Sequence, residues 1–118
     1  MFKEFLSDLV QSVDGAVGSI LMGMDGIPID EFCVRPEEDL QLIGIEVSSI
    51  LKELNRAAQS METGTLGEFL MVNENKTTLV RKINEEYFLV LVLNGNGNLG
   101  KGRFRMRVMV PRISREFE

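Results

Sequence analysis

Residues 95–100, Gly95-Asn96-Gly97-Asn98-Leu99-Gly100, spell a literal G-x-G-x-x-G. In a dinucleotide-binding turn that spacing lets the backbone approach a pyrophosphate. The chemistry also needs a following helix, a second strand and an acidic residue about twenty positions on. Only 18 residues follow Gly100, and they hold Pro111 and five arginines, so the run reads as a glycine-rich connection. No G-x-x-x-x-G-K-[ST] is present. Histidine is absent altogether, which removes His-based triads, His metal sites and imidazole pH switches. Ser19, Ser48 and Ser49 therefore lack their commonest activating base. Cys33, the single cysteine, lies in an apolar stretch where an inert thiol is expected, and it cannot form an internal disulfide. Glu37, Glu38 and Asp39 read as a helix-start cluster, and Glu85-Glu86 as a solvated turn. The expectation is a protein with no catalytic, cofactor-binding or metal-binding residues: not an enzyme, and with no cofactor.

These residues sit in a chain of 118, one domain's worth, spanning 1–118. The apolar fraction of 44% supports a real core without disulfides or metals. No apolar run approaches the ~18 residues that span a bilayer, and the opening Met-Phe-Lys-Glu-Phe lacks a signal-peptide core. A cytoplasmic location without membrane insertion is expected. The net charge of −5 argues against nucleic acid as a partner. Its distribution is uneven: residues 101–118 carry +4, leaving −9 on the first hundred. The basic segment reads as a solvated helix face or a contact for an anionic partner.

The elements that must position these residues follow from periodicity. Phe2, Phe5, Leu6, Leu9, Val10 and Val13 make one helical stripe over 2–13, stopped at Asp14-Gly15. Residues 16–22 suit a strand covered on both faces. Asp25-Gly26 signals a hairpin into a second strand at 27–34, which Pro28 marks as an edge. Pro36-Glu37-Glu38-Asp39 predicts a helix over 37–61, ended at Glu62-Thr63-Gly64. Strands follow at 66–72 and 77–83, and the wholly apolar 87–93 predicts a central strand. Residues 103–110 alternate as a strand would, yet Leu99, Met106, Met109, Val110, Ile113 and Phe117 share a helical stripe; a helix is favoured, kinked or ended at Pro111. The hairpin connections imply an antiparallel sheet with helices packed on its faces.

The long helix carries three surfaces. Leu40, Ile43, Val47, Ile50, Leu51, Leu54, Ala58 and Met61 form the expected core stripe. Gly44, Ser48 and Asn55 lie beside it as a small and polar strip that would let a second helix approach. With Phe69 and Met71 of the 66–72 strand, whose open edge needs a partner, they form the expected dimer interface. Leu42 and Ile45 fall on the far side, roughly 200° and 140° from Leu40 at ~100° per residue. Ser49, Lys52 and Arg56 surround them, an apolar centre with a polar, basic rim that suits a partner.

Several runs together resemble the roadblock/dynein light-chain family, in particular its bacterial MglB-like members. They are Val13-Asp14-Gly15-Ala16-Val17-Gly18, then Leu21 leading into Met24-Asp25-Gly26-Ile27-Pro28-Ile29, the long helix, Gly67-Glu68-Phe69, Leu89-Val90-Leu91-Val92, and Asn98-Leu99-Gly100-Lys101-Gly102-Arg103. The resemblance covers nearly the whole chain and rests on the order and spacing of these runs. It implies an α+β, profilin-like α/β sandwich of order α-β-β-α-β-β-β-α. In it a five-stranded antiparallel sheet has the second helix on one face and the first and last on the other. It also implies a homodimer built from the second helix and the adjacent edge strand. Such dimers bind small Ras-like GTPases, docking them across the paired second helices, and act as activators or as scaffolds. Two expectations follow: a module that stimulates or positions GTP hydrolysis, with Arg56 the best-placed arginine, or an adaptor with no effect on hydrolysis.

Overall fold

The computed structural model describes residues 1–118. In chain order the elements are α1 (Phe2–Gln11), β1 (Ala16–Gly23), β2 (Pro28–Cys33), α2 (Leu40–Met61), β3 (Glu68–Val72), β4 (Lys76–Lys82), β5 (Tyr87–Asn94) and α3 (Leu99–Arg115). The strands form one antiparallel sheet in the order β2-β1-β5-β4-β3, so the wholly apolar β5 is central and the proline-bearing β2 is an edge. Pro28 pairs with Met22 where a register shift interrupts the ladder, and there its missing N–H does least harm.

Alternation along β5 divides the interior. Leu89, Leu91 and Leu93 point to the face covered by α1 and α3, where they meet Leu6, Leu9, Val10, Met106, Met109 and Ile113. Phe88, Val90 and Val92 point to the other face, under Leu40, Val47 and Leu51 of α2. The sheet is thus buried on both sides, the arrangement expected from the sequence.

α1 ends two residues short of its stripe, at Gln11, and two other helix boundaries differ more instructively from expectation. α2 begins at Leu40, not 37: Asp39 is its N-cap, accepting from the Leu42 N–H at 3.0 Å, and Pro36–Glu38 precede the helix. A side-chain acceptor for the orphan amides outweighed the proline signal. α3 runs unbroken through Pro111 to Arg115. An interior proline costs about 3 kcal/mol. Beyond it the helix buries Ile113 completely and brings Phe117 into stacks with Tyr87 at 4.2 Å and Phe2 at 5.1 Å. Burying Ile113 returns roughly 1.5–3 kcal/mol and the partly buried Phe117 adds its two stacks, together enough to carry the helix through.

Candidate functional site

On α2 the buried row is Leu40, Gly44, Val47, Ser48 and Leu51. Opposite it, Leu42 is 55% and Ile45 47% exposed, with Ser49, Lys52 and Arg56 exposed around them. The helix thus presents to solvent the apolar centre and polar rim expected of it. Arg56 is not idle: its Nη2 lies 2.6 Å from Glu53 Oε1, one turn back. The hydrogen bond and charge of Arg56 hold the Glu53 carboxyl below its ordinary pKa, and Glu53 raises that of Arg56 in return. Both side chains are exposed, so the pair restrains the guanidinium only weakly.

The small strip of α2 does not face outward. A Cβ on Gly44 would lie 2.6 Å from the Met22 Cε, and Ser48 is 5% exposed with its hydroxyl donating to the Ile45 carbonyl at 2.7 Å. Gly44 and Ser48 therefore admit the chain's own sheet, and a second helix cannot reach them. Asn55 instead lines a polar hollow of about 340 Å3 with Gln59, Glu62, Thr65, Lys82 and Glu85. Gln41 Nε2 donates to Glu31 Oε1 of β2 at 2.9 Å, which fixes the β2 side of α2. The opposite flank carries Ile43, Ile50, Leu54 and Met61 toward β4 and β3. The first three are half-buried and Met61 is 66% exposed. Phe69 and Met71 stand on the same sheet face, opposite Val80 and Thr78 of β4. Phe69 and Met71 thus adjoin an incompletely covered apolar flank that sequence reasoning had assigned to the core. The missed signal was Gly44 and Ser48: a helix settles on its smallest residues, which turns its larger ones to the side.

Glu68, at the start of β3, was also missed. Its carboxylate receives the Arg81 guanidinium at 2.6 Å and that of Arg103 from α3. Burial pushes its pKa up, but Arg103 and then Arg81, by hydrogen bond and charge, outweigh it and hold the carboxyl below the usual range. A depressed carboxylate contributes stability above its unfolded pKa of about 4.3 and loses it as pH falls through the folded value. Glu68→Gln is expected to destabilise the protein by about 1–2 kcal/mol at pH 7. The gap from the parent should narrow below about pH 4. Urea unfolding of both proteins across that range checks it; a gap independent of pH would mean the ion pairs are not its source.

The residues weighed for chemistry serve the fold. The Ser19 hydroxyl donates to the Val90 carbonyl at 2.8 Å, and the half-buried Cys33 thiol to the Arg35 carbonyl at 2.9 Å. Asn98 caps α3 by accepting from the Lys101 N–H at 3.1 Å, and Gly97 packs against Gly15. No group of three or more acidic, cysteine or histidine side chains converges to hold a metal, and no helix is long and apolar enough to cross a membrane.

The chain matches no protein-family model and no curated protein. Among solved structures, it is 38% identical to MglC from Myxococcus xanthus over 98% of both chains, with a TM-score of 0.70. The roadblock/LC7 domain from Streptomyces avermitilis superposes with a TM-score of 0.87 at 14% identity, over 97% of this chain and 95% of that one. An MglB in a tetrameric arrangement gives 0.88 at 20% identity, over 96% and 85%. A five-stranded antiparallel sheet between one helix and two is thus the architecture the chain shares with these structures. The chain belongs to the roadblock/LC7 family, as an MglB-like member.

Proposed function

We propose that this chain is a non-enzymatic regulatory homodimer that binds a small Ras-like GTPase across α2 and positions it for GTP hydrolysis. The observation that carries the reading is the exposure of Leu42 and Ile45 opposite the buried row, with a rim of Ser49, Lys52 and Arg56. The monomer core has no use for these two side chains. Because phosphoryl transfer is catalysed mostly by positioning and electrostatics, a module without an active site can accelerate it by ordering the partner's switch segments. Arg56, held only weakly by its exposed pair with Glu53, would join in that ordering from the rim.

The dimer would form on the flank of Ile43, Ile50, Leu54 and Met61, with Phe69 and Met71 and the open edge of β3. An edge with Leu70 and Met71 each 37% exposed and Val72 66% exposed is an aggregation hazard unless paired. The tetrameric arrangement of an MglB supports self-association as a property worth testing here. Light scattering at micromolar concentration should return about twice the chain mass; a monomer would overturn the dimer.

Single-turnover GTP hydrolysis by the cognate GTPase, with and without this protein, tests the regulatory reading. Faster hydrolysis supports it. Binding without acceleration would assign the chain to the adaptor class. No binding at all would remove the GTPase from both readings.

A further inference from the structure

The outward face of α3 is the other apolar surface the fold leaves without a use. Met106, Met109, Ile113 and Gly102 point into the core, and Phe104, Val108 and Pro111 lie on the opposite side within one narrow stripe. Phe104 is 57% and Val108 36% exposed, and Pro111 is exposed. Lys101, Arg107, Arg112 and Arg115 frame the stripe; all four are exposed and none makes an ion pair. Arg112 and Arg115 complement the negative end of the helix dipole, but Lys101 and Arg107 have no such role. No acidic residue occurs between Leu99 and Arg115, although the first hundred residues carry a net −9. Pro111 adds one more polar feature: without an amide hydrogen it leaves the Arg107 carbonyl free to accept from outside the helix.

We propose that this face docks an acidic amphipathic helix of a partner protein, whose apolar stripe covers Phe104, Val108 and Pro111 and whose flanking carboxylates meet the four cations. The surface lies on the side of the sheet opposite α2, so this site is independent of GTPase docking. From Lys101 to Arg115 it is ~21 Å long, the span of about four helical turns. Charge complementarity selects an acidic occupant. Shape selects a narrow one over an anionic membrane. α1 lies beside α3 in the same layer, linked by the Arg105 Nε donating to the Ser12 hydroxyl at 3.1 Å. It exposes Glu4, Asp8 and Gln11. A bilayer would meet those carboxylates together with the cations, whereas a helix ~10 Å across follows α3 alone.

The test uses the intact protein and two synthetic helical peptides of matching length with one leucine stripe, flanked by glutamates in one and lysines in the other. Fluorescence anisotropy should show the glutamate peptide binding about 10-fold or more tighter, and weakening as salt is raised. Phe104→Glu should lower that affinity about 10-fold or more without shifting the melting temperature, since the side chain stands in solvent. Arg107→Glu, which spares the apolar stripe, should weaken the glutamate peptide and narrow the difference between the two. Equal binding of the peptides, no binding of either, or indifference to Phe104→Glu overturns the proposal. Cosedimentation with phosphatidylserine-containing vesicles that Phe104→Glu abolishes would overturn it in favour of a membrane. Self-association lost in the same variant would overturn it in favour of a second copy.

Discussion

If α2 docks a Ras-like GTPase as proposed, Ile45→Glu will weaken that binding about 30-fold or more and leave folding and self-association intact, because a charge placed at an interface core typically costs a few kcal/mol. Ile45 is 47% exposed and points away from the sheet, so the fold loses little when it becomes polar. Glutamate is a good helix former, and the bond from the Ser48 hydroxyl to the Ile45 carbonyl uses only backbone at this position. A bound GTPase would cover the new carboxylate. The Lys52 ammonium lies two turns away on the same face and compensates only from the rim. Calorimetric titration of variant and parent against the GTPase measures the effect, with thermal melting and light scattering as controls. Unchanged affinity would move the docking site off α2. A monomeric variant would place Ile45 in the dimer interface, and an unfolded one would place it in the core.

What could be read from the residues was whatever depends on neighbours in sequence. Asp25-Gly26 specifies a hairpin locally: Gly26 takes φ +85° and the Asp25 carboxylate accepts from the Ile27 N–H at 3.0 Å. The run from Tyr87 to Leu93 needs cover on both faces, and only a central strand provides it. The misjudged features depend on what packs opposite. Gly44 and Ser48 looked like room for a second helix, but Met22 of β1 fills that room. Their burial rotates α2 and leaves Ile43, Ile50 and Leu54 only half covered, a consequence invisible to a wheel that knows no sheet. Glu68 gave no sign either, since its partners stand 13 and 35 residues away on β4 and α3. Pro111 was overweighted because the return from Ile113 and Phe117 lies in tertiary contacts with Tyr87 and Phe2. Leu42 and Ile45 were legible for the converse reason: an outward face needs no partner within the chain to define it.

Gly15→Ala will be the most damaging of the single-methyl insertions, lowering stability by about 3 kcal/mol or more and the melting temperature by roughly 10 °C. Two effects add at this position. Gly15 has φ +85°, a region where a Cβ costs roughly 1–2 kcal/mol. A Cβ there would also lie 2.5 Å from the Gly97 Cα, a backbone atom that cannot swing aside. The junction between α1, β5 and α3 closes through these two glycines: the Asn94 N–H donates to the Gly15 carbonyl at 2.8 Å and the Asn98 N–H to the Asp14 carbonyl at 2.9 Å. Moving Gly97 would therefore disturb the strand end and the cap of α3 together. Gly26→Ala separates the two effects, because Gly26 shares the φ of +85° but a Cβ there meets nothing within 4 Å. It should cost only the backbone strain, about 1–2 kcal/mol. Thermal and urea unfolding of the two variants gives the comparison. Equal losses would mean that Gly97 yields freely. A larger loss at Gly15 would identify the middle glycine of the G-x-G-x-x-G run as one required by its neighbour in the fold, with no phosphate needed to account for it.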